Sequence, residues 1–390
     1  MKKNVLILFF ILIISKLFCV GQFACIFTLL NPSATDVCFG NDSGAANIWN
    51  TNPLSVWSNP AKLGYHKSFA FGYSHDPWFE DVHGIDDMYL RSSYVSFGWN
   101  GIGILLPALC SNGRLGTCMD YGKQEMYDAN DNYIGSFSAY ESDTKFAIGI
   151  NTLEIISNLI KNRQLTFLQN CVELSLGYNY DIIYSKLGYH LGSSTPKVEG
   201  KSFSTGIGGI FRLSLSKFFE DFDNLFVLDL TCGVYLLNPS KTEIKYPDET
   251  QKDPLPWGTR SAFSGKLSVP LSTFTILEYD IIQLFCENIF SFMFSFDESK
   301  LETNESKTNG YGFEYTFFDI LSIRNGSYED KDGEIIGDCL GFCLNFDYKK
   351  KIQIQYNFTK FPGGGMQETQ NKWDILFRTD FAALYKMLNL

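Results

Sequence analysis

Charge is in short supply in this sequence. Charged residues make up 19% of its 390 positions, against roughly 25% in ordinary soluble domains. Acidic residues outnumber basic ones, 43 to 32, so the basic surface that nucleic-acid binding needs is missing. Histidine is rarer still: His66, His75, His83 and His190 are the whole supply. No Cys-x-x-Cys pair occurs, which removes the common zinc and dithiol motifs. No Gly-x-Ser-x-Gly elbow occurs to carry a hydrolase serine. After residue 21 no apolar run reaches the roughly eighteen residues of a spanning helix. These gaps point away from an enzyme. No catalytic residue, metal site or cofactor is expected.

Aromatic residues are abundant instead, at 16%, with Phe 35 and Tyr 21. Mean hydropathy is nonetheless only −0.06, far below that of a helical membrane protein. Residues 1–21 read as a signal peptide: Lys2 and Lys3 lead, Val5 to Ile14 is apolar, and Cys19 and Gly21 are small residues before the cut. Losing Lys2, Lys3 and Lys16 makes the net charge of −11 more negative still. The remaining cysteines are odd in number and scattered, so they read as small buried thiols, with a Cys110–Cys118 loop staple as the alternative.

The rest of the chain alternates. In Val172 to Asp181, Val172, Leu174, Leu176, Tyr178 and Tyr180 stand between Glu173, Ser175, Gly177, Asn179 and Asp181. Such a segment in a strand has one apolar and one polar face. The same pattern runs through Phe69–Tyr73, Phe226–Val234, Tyr311–Phe317, Phe342–Tyr348, Ile352–Phe358 and Trp373–Phe381. The second face carries Gly, Ser, Asn and Gln more than Lys and Glu. That suits a crowded lumen better than the surface of a soluble, exported β-sandwich, which is the remaining alternative. The spacing predicts an all-β fold: a closed antiparallel transmembrane β-barrel of about 14 strands with an N-terminal hatch segment. Residues 22–64 are assigned to the hatch and 65–390 to the barrel. Two hairpins are expected, over 171–190 and 310–325, a strand over 274–283, and a helical insertion over 151–164.

Three stretches resemble the PorV/PorQ family of FadL-like outer-membrane barrels. The first, residues 27–65, holds Trp57, Asn59, Pro60, Ala61 and Leu63, similar to that family's W-N-P-A-x-L, with Ser58 inserted and Thr35 where an Arg is common. The second has Pro77 and Trp78, followed by Asp87 and Met88. The third has Gly312, Glu314, Tyr315, Arg324 and Gly326 in a late hairpin. The resemblance implies the outer membrane of a Gram-negative bacterium. It implies contact with outer-membrane lipid, and secreted cargo proteins or secretion components of a type IX pathway as partners. The alternative is FadL-like uptake of a hydrophobic small molecule, with Phe27, Leu29, Leu30 and Trp49 as candidate lining residues and an inward kink in one strand as a lateral opening. Pro60 itself suits the first turn of a helix capped by Asn59 or Ser58.

Other clusters are read as bland. His75 and His83 bracket Asp76, Glu80 and Asp81 in what reads as a solvated acidic loop. Asp128, Asn130 and Asn132 mimic a calcium loop, but Tyr133 and Ala139 replace its glycine and glutamate. Gly206, Gly208 and Gly209 read as barrel glycines, not a nucleotide fingerprint.

Overall fold

The computed structural model describes residues 24–380 except 41–42, 79–87, 112, 128–129, 161–162, 189–197, 219–224, 247–251, 274–283, 304–305, 331–334, 350 and 364–368. The expected leader, residues 1–21, and the strand expected over 274–283 lie outside the described residues.

Seventeen strands are present among them. They are β1 (Phe69–Pro77), β2 (Tyr89–Trp99), β3 (Ile102–Pro107), β4 (Gly116–Tyr127), β5 (Tyr133–Asn151), β6 (Val172–Gly188), β7 (Val198–Ser214), β8 (Val227–Leu237), β9 (Glu243–Lys245), β10 (Lys252–Pro254), β11 (Gly258–Pro270), β12 (Asn288–Leu301), β13 (Lys307–Phe317), β14 (Leu321–Asp330), β15 (Ile335–Tyr348), β16 (Ile352–Pro362) and β17 (Thr369–Thr379). Every pairing is antiparallel, and β17 pairs with β1 to close the ring. Counting β3 and β4 as one wall position, and β9 with β10 as a hairpin on a loop, gives a closed barrel of 14 strands. Closure satisfies the backbone groups that an edge would leave bare.

The expected hairpin over 310–325 is present as β13 and β14. The one expected over 171–190 is not: β6 is a single strand of 17 residues. The alternation that begins at Val172 continues inward and outward past Asp181 without a turn. Ile183 is an inward residue, buried in an apolar cluster with Phe27 and Leu90. The insertion after β5 is helical, as α2 (Thr152–Ile160) and α3 (Arg163–Cys171), after a short α1 (Ala34–Cys38) near the N-terminus.

The described residues of 24–66 lie against the inner face of the wall. Two 3-10 helices, Pro53–Trp57 and Pro60–Tyr65, carry part of the contact, the second more than any other element of the segment. The seat for the second is a row of glycines. Gly98 pairs with Gly103, Gly103 with Gly149, Gly149 with Gly177, and Gly177 with Gly208. The row therefore crosses β2, β3, β5, β6 and β7 at one level. A Cβ at Gly177 would fall inside 3.0 Å of the backbone of Pro60 and Ala61, and one at Gly208 inside 3.0 Å of the Asn59 side chain. Only a wall without side chains lets the 59–66 backbone lie this close.

Candidate functional site: the inner seat and the interrupted wall

The two faces of the wall differ sharply. Outward positions include Phe263, Phe296, Tyr311, Ile323, Leu340, Phe342, Leu344 and Ile354, all exposed. Inward positions of the same strands include Ser264, Ser295, Glu314, Arg324, Asn357 and Asp374, all buried. A closed sheet that is apolar outside and polar within is the arrangement lipid demands of a spanning barrel. The chain is an outer-membrane β-barrel. The alternation in the sequence carried that signal. Cys232 departs from the expected buried thiol, since it is exposed on the apolar face. Cys110 and Cys118 are both free thiols, so the staple is not formed.

The family-like motif of the N-terminal segment is held in detail. Asn59 caps the second 3-10 helix, its Oδ1 accepting from the Ala61 N–H at 3.0 Å, and Pro60 occupies the first turn. The Asn59 amide also donates to Ala45 O at 2.9 Å. Ala61 O accepts from Ser175 Oγ at 2.6 Å. Leu63 is fully buried. Trp57 donates from Nε1 to Thr28 O at 3.0 Å, and the Arg260 guanidinium lies 3.7 Å from its ring centre. Buried charges pin the segment as well. Lys62 pairs with Asp36 at 3.2 Å, both almost without exposure. Asp374 accepts from Ala34 N at 2.7 Å and from Asn52 Nδ2 at 3.0 Å. Burial and then the Lys62 charge push the His66 imidazole down to about 3. Its Nδ1 lies 3.0 Å from Ser96 Oγ.

The candidate lining residues do not form one group. Phe27 is buried among Cys25, Leu90, Met119, Ile183 and Leu255, with Leu30 and Trp78 packed on the rim. Trp78 also ties its loop through its N–H to Met88 O at 3.0 Å. Pro77 ends β1 opposite Tyr89. Trp49 lies elsewhere, against Ile48, Ala61 and Ile210, and faces a cavity of about 440 Å³. Leu29 is half-buried. That cavity is polar, with Glu314, Arg324, Asn345, Asp347, Gln355 and Arg378 in its lining. It sits at the end with tight turns, because Asp319 and Lys349 also line it. Barrels turn that end to the periplasm.

Besides single-step register shifts in several ladders, the described wall carries one larger insertion, between β3 and β4. On β2, Tyr94 pairs with Pro107 and the next residue, Ser93, pairs with Gly116. The described residues of 108–115 are thus extruded from the wall, held by a Leu109–Leu115 bridge. On β5 the ladder stops at Ala147 and resumes at Asp143. Gly116 takes φ +85° at the junction. Inside the gap, the Tyr94 hydroxyl reaches Thr117 Oγ1 at 3.1 Å and donates to Asp143 O at 3.3 Å. Leu54, Val56, Leu63, Tyr94, Leu105 and Ala147 form a buried apolar cluster behind it. Nothing in the sequence pattern marked this insertion beyond Pro107 and the glycines after it.

The expected acidic loop around His75 is corrected. His75 and Asp76 belong to β1 and point to opposite faces. His75 accepts from Arg91 Nε at 3.1 Å, and Asp76 is buried in an ion pair with Lys372 at 3.1 Å. His83, Glu80, Asp81 and Asp128 lie outside the described residues. Among the described residues no group of three metal-ligating side chains occurs.

No family model and no curated protein matches the sequence. Solved structures that superpose on it include the toluene transporter TbuX of Ralstonia pickettii, with TM-score 0.45 and 11% identity, covering 91% of this chain and 100% of that one. Another is the CymD monoaromatic hydrocarbon channel, with TM-score 0.42 and 9% identity over 90% and 98%. A third is the P. putida toluene transporter TodX, with TM-score 0.38 and 10% identity over 85% and 94%. At such scores these likenesses bear on neither ligand nor mechanism.

Proposed function

We propose that residues 22–64 act as a hatch that closes the lumen, and that the protein admits an apolar small molecule through the seam where the β3–β4 junction faces β5. The barrel is a conduit, not an enzyme. The observation that carries this reading is the meeting of two features at one level. The gap opposite residues 144–146 of β5 is backed by the apolar cluster of Leu54, Val56, Leu63, Tyr94, Leu105 and Ala147. An apolar solute that reaches the cluster from the outer mouth leaves sideways into lipid without crossing the polar chamber below. A polar solute gains nothing from such an exit.

The register gives a clean test. Removing residues 108–115 joins Pro107 to Gly116 and leaves both the β2 and β5 ladders in step. The variant also carries Asp120→Leu, because Asp120 faces outward under the extruded residues and would otherwise meet lipid. Cells producing it should assemble a heat-modifiable barrel yet take up radiolabelled fatty acid or alkylbenzene no faster than cells with empty vector. Undiminished uptake through the closed wall would refute the reading.

A second reading, docking of secreted cargo of the PorV type, is favoured by the filled inner face, since a docking barrel needs no bore. Deleting the gene should then leave cargo proteins in the periplasm or unattached. Normal export in that strain would end it.

A further inference from the structure

We infer that the helical excursion between β5 and β6 is a foot seated in the phospholipid leaflet at the tight-turn end of the barrel. The inference rests on the outer-membrane location and is independent of what the barrel carries. The two helices have an inner and an outer side. Glu154 and Ser157 of α2 are buried against the barrel. Glu154 is fixed there by the Asn151 side chain, which accepts from its N–H at 3.2 Å, and by Lys67 at 3.4 Å. Ser157 Oγ donates to Gln169 Oε1, which ties α2 to α3. The other side of α2 presents Ile156, Leu159 and Ile160, at 40%, 78% and 60% exposure, and α3 presents Phe167 and Leu168 at 56% and 43%. Residues spaced by three and four share one helical face. A face of this size left in water is an interaction surface.

Continuity with the wall says what covers it. α2 starts one residue after β5 ends, and α3 ends one residue before β6 begins. The last outward residues of β5, Ile148 and Ile150, and the first of β6, Leu174 and Leu176, are exposed members of the lipid-facing belt. Thr152 Oγ1 donates to Leu174 O at 3.0 Å, so the helix start is pinned at the rim. A nine-residue helix is only about 14 Å long, too short to cross a hydrocarbon core of about 30 Å. The sequence from Ile155 to Cys171 has no acidic residue and contains Lys161 and Arg163. An apolar outer side in a stretch whose charges after Glu154 are all positive suits a phospholipid surface.

The test places a reporter on the outer face of the full chain. Leu159→Trp, and separately Phe167→Trp on the second helix, are reconstituted in phosphatidylcholine–phosphatidylglycerol vesicles. The emission of the added tryptophan is taken as the difference from the unsubstituted protein. Loss of that emission to phospholipid brominated high on the acyl chain, with protection from aqueous iodide, is the expected result. Quenching by iodide overturns the inference. Protection from both quenchers, with a dimer seen by cross-linking, overturns it too, because a second copy then covers the face.

Discussion

Adding one methyl group at Gly177 should unseat the N-terminal segment while leaving the barrel sound. The new Cβ would fall inside 3.0 Å of Ala61 N and Pro60 C, both backbone atoms. They have little room to retreat, because Ala61 N donates to Asn59 Oδ1 at 3.0 Å and Ala61 O accepts from Ser175 at 2.6 Å. Overpacking of this kind costs about 1–3 kcal/mol. The strand itself gains roughly 0.5–1 kcal/mol from losing a mid-strand glycine. The two effects act on different equilibria and carry opposite signs. Barrel stability should hold or rise slightly, while the unseated fraction should grow by a factor of roughly 5–150 for a loss of about 1–3 kcal/mol. Single-channel conductance in planar bilayers reads the second quantity, and the temperature of the heat-modifiable shift reads the first. Gly209→Ala is the control, since its Cβ points outward and meets nothing closer than Leu176 Cδ2 at 3.8 Å. Equal opening frequencies in the two variants would refute the seat.

Lys62→Met should open the channel more than Gly177→Ala, because it leaves the buried Asp36 carboxylate without its cation, a loss of about 3–5 kcal/mol. Adding Asp36→Asn should restore most of the closed state in the same conductance assay. Acid should loosen the segment through His66. Its folded-state value lies near 3, below the ordinary range near 6.5, so it stays neutral when seated and is protonated once freed. Stability is therefore full above the unfolded value and falls as pH drops from about 6.5 towards 3, by up to about tenfold per unit. His66→Gln should flatten the dependence of open probability on pH. On the outer face, Phe342 stands mid-strand in β15 between Ile323 and Phe358, so Phe342→Lys should lower unfolding stability in urea by about 2–4 kcal/mol, and an unchanged urea midpoint would contradict the lipid assignment.

What the sequence settled by itself was set by neighbours along the chain. Leu174, Leu176, Tyr178 and Tyr180 announce an apolar face because strand side chains alternate whatever the partner strand is. Ile156 and Ile160 mark a helix in the same way. Local pattern failed where distant residues changed what a position had to satisfy. β4 carries little alternation to read, because Asp120, Lys123, Gln124 and Glu125 break it. Asp120 is tolerated on the outward face only because the extruded residues of 108–115 cover it, with Arg114 at 3.4 Å. Gly98, Gly103, Gly149, Gly177 and Gly208 are scattered over more than a hundred positions and signal nothing one by one. Register between strands brings them into a single row, and the Asn59–Pro60 turn lies on it. The partners of Asp36, Asp76 and Asp374 were likewise invisible in one dimension. Alternation is a property of one strand, whereas a seat, a seam or a buried ion pair exists only once closure has fixed which strand stands beside which.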